Sequence, residues 1–81
     1  MLFNIYREVS DMPVTMADTG QTVIINRITG TDEVRQHLAE LGFVVGEKIT
    51  VVSNNGGNVI LQVKDARIAL DRKMATRVIV A

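Results

Sequence analysis

The stretch from Leu38 to Val51 limits the possible folds most tightly, because a helix ending and a strand start lie side by side in it. Val34, Leu38 and Leu41 recur at helical spacing and define one apolar stripe. Just before them, Thr31-Asp32-Glu33 supplies an N-cap hydroxyl and two acids for the positive end of the helix dipole. Gly42 ends the periodic run where a left-handed C′ residue is needed, and Phe43 can close over Leu38 as in a Schellman ending. Gly46-Glu47-Lys48-Ile49-Thr50-Val51 then changes the pattern to the alternation of a strand. The spacing predicts a helix over about residues 31–41 with a strand directly behind it.

Around that unit the signals are those of short strands. Asp18-Thr19-Gly20-Gln21 reads as a turn, and Thr22-Val23-Ile24-Ile25-Asn26-Arg27-Ile28 as a first strand rich in β-branched residues. Ile49 and Val51 alternate, as do Val59, Leu61 and Val63, and Asn54-Asn55-Gly56-Gly57 between them suits a type I′ hairpin turn. Strands are expected again at Arg67–Leu70 and Arg77–Val80, flanking residues 71–76, where Asp71 can N-cap a single helical turn. The expected architecture is mainly β: a small, partly closed antiparallel barrel of about five strands with one inserted helix and a short helical turn. Its expected core is Val23, Ile25, Ile28, Val34, Leu38, Leu41, Phe43, Ile49, Val51, Leu61, Val63, Ile68, Leu70, Met74, Ala75, Val78 and Val80. Residues 1–12 fit this pattern least and are expected to form a weakly ordered arm, with the domain proper at 13–81.

Size and composition exclude several functions. With 81 residues there is room for one domain, and zero cysteines remove disulfides, thiolate metal sites and a cysteine nucleophile. Nine basic and nine acidic side chains cancel and are interspersed, which leaves no footprint for nucleic acid or an anionic membrane. No apolar run has signal-peptide or transmembrane character, so direct membrane insertion is not expected and a cytoplasmic setting is the simplest reading. No acids are spaced as a convergent pair, neither Ser10 nor Ser53 sits in a nucleophile motif, and Gly56-Gly57 leads into a strand without the lysine of a phosphate loop. An enzyme is therefore not expected. Phe3, Tyr6 and Phe43 are too few and too scattered to wall a groove for proline-rich peptides. Gly46-Glu47-Lys48 resembles a strand start that some RNA-binding barrels use, without the basic surroundings they need.

The helix followed by L-G-F-x-x-G-x-x-I-x-V from Leu41 to Val51 resembles the FeoA family, small proteins associated with bacterial ferrous iron uptake. Arg67, Ala69, Leu70, Ala75 and Val80 support the resemblance, which spans about residues 13–81. Two positions depart from the family pattern. Val45 stands where many members have proline, and Lys64-Asp65-Ala66 replaces a turn that often contains glycine. The resemblance implies an SH3-like barrel and a cytoplasmic accessory protein recruited to the inner face of the membrane. It further implies docking on the cytosolic, GTP-binding part of the transporter FeoB, with modulation of that transporter. The alternative it implies is a transition-metal-responsive regulatory module, because such domains resemble the C-terminal domains of iron-dependent repressors. The oligomeric state is left open, and no cofactor is required.

Two sets of candidate residues follow. For a partner they are Arg35, Gln36, His37 and Glu40 on the polar face of the helix, and Asn55 and Gly56 at the hairpin tip. For metal, Glu33, His37 and Glu40 lie three and four residues apart on one helix, and imidazole with carboxylates can coordinate Fe(II). The comparable sites in di-iron helical bundles recruit further helices, which this chain lacks. A solvated polar helix face accounts for the same three residues.

Overall fold

The computed structural model describes residues 11–81, so residues 1–10 of the arm expected at 1–12 lie outside the described part. In chain order the elements are β1 (Met12–Pro13), a 3-10 turn (Val14–Met16), β2 (Thr22–Ile28), α1 (Asp32–Glu40), β3 (Lys48–Asn54), β4 (Val59–Val63), β5 (Ala66–Leu70), α2 (Arg72–Ala75) and β6 (Val78–Val80). All pairings are antiparallel, in one sheet ordered β1-β6-β2-β3-β4-β5. The sheet is not closed by hydrogen bonds. Instead α2 packs on β5 and on the 3-10 turn, which in turn packs on β6, so irregular structure spans the gap between the sheet's two ends.

Six strands are present where the sequence suggests about five. The added one is β1, two residues long, with Met12 opposite Val80 and Pro13 opposite Ile79. A two-residue strand has no alternation to read, and its partner is at the far end of the chain. The register of β2 on β6 slips between Ile25 and Arg27, a bulge that leaves β2 shared between the β1–β6 side and the β3–β4–β5 side.

The helix is bounded as its sequence predicts. Thr31 Oγ1 accepts from the Val34 amide at 3.2 Å. At the other end Gly42 takes φ +106°, its amide donates to Ala39 O at 2.9 Å, and Phe43 N–H donates to Leu38 O at 3.0 Å. Those are the two bonds of a Schellman ending. Leu38 and Phe43 are both fully buried, and Leu38 is the one residue of α1 in the buried class. Asp71 likewise caps α2, accepting from the Met74 amide at 2.8 Å.

Twelve of the expected core residues are buried (Val23, Ile25, Leu38, Phe43, Ile49, Val51, Leu61, Val63, Leu70, Ala75, Val78 and Val80), while Ile28, Val34, Leu41, Ile68 and Met74 pack against them half-buried. Val14, Ala17, Val59 and Ile79 are buried as well. Val14 opens the 3-10 turn and Ala17 follows it, and all three residues of β6 are buried. The 54–57 hairpin forms with a different turn from the expected type I′. Asn54 pairs with Val59, so four residues make the loop, and Gly56 alone among them has a positive φ, +95°. A type I′ turn needs two consecutive positive values.

Candidate functional site

An open cleft of about 460 Å³ lies between α1, the end of β2 and the turn after the helix. Arg27 and Ile28 come from β2, Asp32, Arg35, Gln36 and Ala39 from α1, and Phe43, Val44 and Val45 from the turn. Its construction follows from the helix ending. Gly42 turns the chain so that Phe43 enters the core, and the next two residues are then left outside, Val44 at 43% and Val45 at 65% exposure. Two exposed valines beside Ile28 and Ala39 make an apolar floor, with guanidinium groups at its edge.

The cations of this cleft are held to different degrees. Arg27 Nη1 donates to Asp11 Oδ2 at 2.8 Å, while Asn26 Nδ2 donates to Asp11 Oδ1 at 2.7 Å. Arg35 Nη1 lies 3.7 Å from Asp32 Oδ1, one turn earlier on the same exposed face. Exposed pairs of that kind contribute little to stability.

The candidate partner residues divide in space. Arg35 and Gln36 line the cleft, and Glu40 accepts from Gln36 Nε2 at 3.4 Å on the same face of α1. His37 is exposed on that helix without lining the cleft. Asn55 and Gly56 are at the other end of β3, a strand length of roughly 20 Å away. They therefore do not join the helix in one site. Val44, Val45, Ile28 and Ala39 were missed by sequence reasoning. A signal existed in the pair Val44-Val45 after the helix stop, since once Phe43 is committed to the core its followers have to point outward.

Glu33, His37 and Glu40 are all exposed on α1. Among the described residues, no set of three or more histidine, aspartate or glutamate side chains is placed to hold a metal ion. No helix among them is long and apolar enough to cross a membrane.

One residue that sequence reasoning passed over holds the opposite end together. Asn54 Nδ2 donates to Thr15 O at 2.9 Å and to Ala17 O at 3.0 Å, and Asn54 Oδ1 accepts from Arg72 Nη1 at 2.8 Å. This half-buried amide ties the hairpin to the 3-10 turn and to α2, across the unclosed side of the sheet.

A mainly β SH3-like module with a helix inserted between its second and third strands, carrying an exposed apolar cleft beside that helix, is the class these features define. The comparisons with known proteins agree. The FeoA domain family matches residues 12–81, and the chain belongs to that family. A relative in Methanocaldococcus jannaschii, named "Putative Fe(2+) transport protein A", is 32% identical over 68 residues, 84% of this chain and 83% of that protein. The Stenotrophomonas maltophilia FeoA, solved with zinc and described as a prokaryotic SH3 domain protein, superposes with a TM-score of 0.75 at 25% identity, over 90% of this chain and 91% of that one. The IdeR of T. acidophilum shares the fold at a TM-score of 0.80 and 26% identity, over 94% of this chain but 36% of that longer one. Metal-dependent repressors thus contain the same module as part of a larger chain.

Proposed function

We propose that this protein is a cytoplasmic accessory component of ferrous iron uptake that docks on the cytosolic part of FeoB at the inner face of the membrane and modulates it. It acts by binding rather than by chemistry. The observation that carries this reading is the apolar floor formed by Val44 and Val45 beside α1, exposed at 43% and 65% in a chain whose other large apolar side chains are mostly buried. Exposed apolar surface rimmed by polar groups is the usual form of a protein contact site. In this reading Arg35 and Gln36 form the polar rim on α1, and His37 and Glu40 extend the contact along the helix beyond the cleft. Asn55 and Gly56 are a secondary contact for a partner that runs the length of β3.

The test is an amide NMR titration of the labelled protein with the cytosolic part of FeoB, repeated with Val45→Asp. Shifts are expected along α1 and residues 43–46, and the variant should lose affinity tenfold or more while melting at the parent's temperature. No interaction at high micromolar concentration, together with unchanged GTP turnover, removes the proposal.

The fold shared with IdeR supports a second reading, a metal-responsive module in which Glu33, His37 and Glu40 take Fe(II). An anaerobic Fe(II) titration that follows the His37 ring signals separates the two. A response confined to those three residues favours the second, and silence at millimolar iron ends it.

A further inference from the structure

Two guanidinium groups line the cleft, Arg27 and Arg35, and each has one acid beside it, Asp11 and Asp32. Arg27 is already engaged: its acceptor, Asp11, is fixed in place by a second bond from Asn26. Arg35 is not engaged to the same degree. Its acid lies 3.7 Å away, with a fully exposed side chain. A guanidinium carries five N–H donors in a planar fork that matches a carboxylate, so Arg35 keeps nearly all of its capacity for one.

We infer that the segment received by this cleft is an apolar peptide bearing a carboxylate, which Arg35 reads while Ile28, Val44 and Val45 take its apolar side chains. The inference rests on the docking reading for its choice of surface and adds to it the chemistry of the partner. The surroundings decide between one carboxylate and a polyanion. Glu33 and Glu40 share α1 with Arg35, and Glu47 follows the turn, so the cations here form no continuous basic surface for nucleic acid or an anionic bilayer. A single acidic side chain set among apolar ones needs only one guanidinium, and Arg35, 3.7 Å from Asp32, has donors to spare for it. Arg27, held by Asp11, shapes the rim.

The experiment is a selection of randomised short peptides on the immobilised full chain and, in parallel, on its Arg35→Glu variant. Arg35 has a side chain 55% exposed, so the variant should fold, and matching far-UV circular dichroism melts check that it does. Apolar peptides containing Asp or Glu are expected on the parent and apolar peptides containing Lys or Arg on the variant. Exchanging the selected acid for its amide should weaken binding to the parent about fivefold to tenfold and leave the variant unaffected. The same acidic preference on both proteins, enrichment of apolar residues alone, or no enrichment overturns the inference. Competition between a selected peptide and the cytosolic part of FeoB tests the docking reading separately. Acidic peptides that FeoB does not displace keep the carboxylate preference and remove FeoB as its source.

Discussion

Replacing Gly42 by alanine probes the residue on which both the helix ending and the cleft depend. Its φ of +106° is a conformation that an L side chain adopts only with strain, at about 1–2 kcal/mol for the left-handed region. An added Cβ would also stand 3.3 Å from Val63 Cγ1, and Val63 is 97% buried in β4 with little room to yield. Against this, alanine narrows the unfolded ensemble and returns about 0.4–1 kcal/mol. The strain and the crowding outweigh that return, so a net loss of about 1–2 kcal/mol is expected, or on the order of 5–15 °C in melting temperature for a domain of this size. Gly57→Ala is the internal control. Its φ is not positive and the nearest atom to a new Cβ, Asn55 Oδ1, is 4.0 Å away, so the entropy gain should appear nearly alone. Urea unfolding of both variants by far-UV circular dichroism gives the comparison. Equal effects at the two positions would refute the reasoning, because they would mean that neither the positive φ nor the Val63 contact constrains Gly42.

Four further outcomes are expected. Leu38→Ala removes a fully buried side chain and should cost about 2–5 kcal/mol, measured by chemical denaturation; a loss below about 0.5 kcal/mol would contradict its place in the core. Asn54→Ala leaves two carbonyls and the Arg72 guanidinium without their partner and should cost about 1–3 kcal/mol, with faster amide exchange in the segment that carries Thr15 and Ala17. Lys64→Gly should stabilise by roughly 0.5–1 kcal/mol in a thermal melt, since Lys64 holds φ +54° and its pair with Glu47 is long, 3.8 Å, with the lysine side chain 74% exposed. Val45→Pro should raise stability by about 0.4–1 kcal/mol in urea unfolding, for a reason that lies in the turn it occupies.

The parts of the fold that could be read in the sequence are those where one residue type answers one local need. Thr31, Gly42 and Asp71 are of this kind: each satisfies a helix end within a few residues, and each does in the structure what its position predicts. The alternation of Ile49, Val51, Val59, Leu61 and Val63 is equally local, and all five are buried. What could not be read depends on pairing across the chain. Met12-Pro13 is a strand only because Ile79-Val80 lies beside it. Asn54 looked like a turn residue, and the partners that make it a tie, Thr15, Ala17 and Arg72, are distant in sequence. The cleft was half legible. Arg35 and Gln36 follow from helix periodicity, whereas its floor needed the direction in which Gly42 sends the chain. Asn55 and Gly56 were placed with the helix as surface candidates, and nothing local reveals that β3 separates them.

The turn that presents the floor is itself fixed by backbone bonds. Gly46 N–H donates to Ile25 O at 2.8 Å, Ile25 N–H donates to Glu47 O at 3.0 Å, and Glu47 N–H donates to Val44 O at 3.1 Å. The last bond closes a four-residue turn, Val44 to Glu47, whose third residue, Gly46, has φ +93°. A positive φ at the third position is the mark of a type II turn, and the second position of such a turn favours proline. That position is Val45, where many members of the family have proline. The same geometry therefore explains the family pattern and the substitution in this chain. Proline and valine both leave an apolar surface at the mouth of the cleft, and neither is asked to donate a hydrogen bond among those that fix the turn. Because β2 holds the turn from both sides, the floor is preorganised, and a partner need not order it on binding. Val45 is thus free to vary while Gly42 and Gly46 are not, and this separates the positions that set the fold from the one proposed to meet the partner.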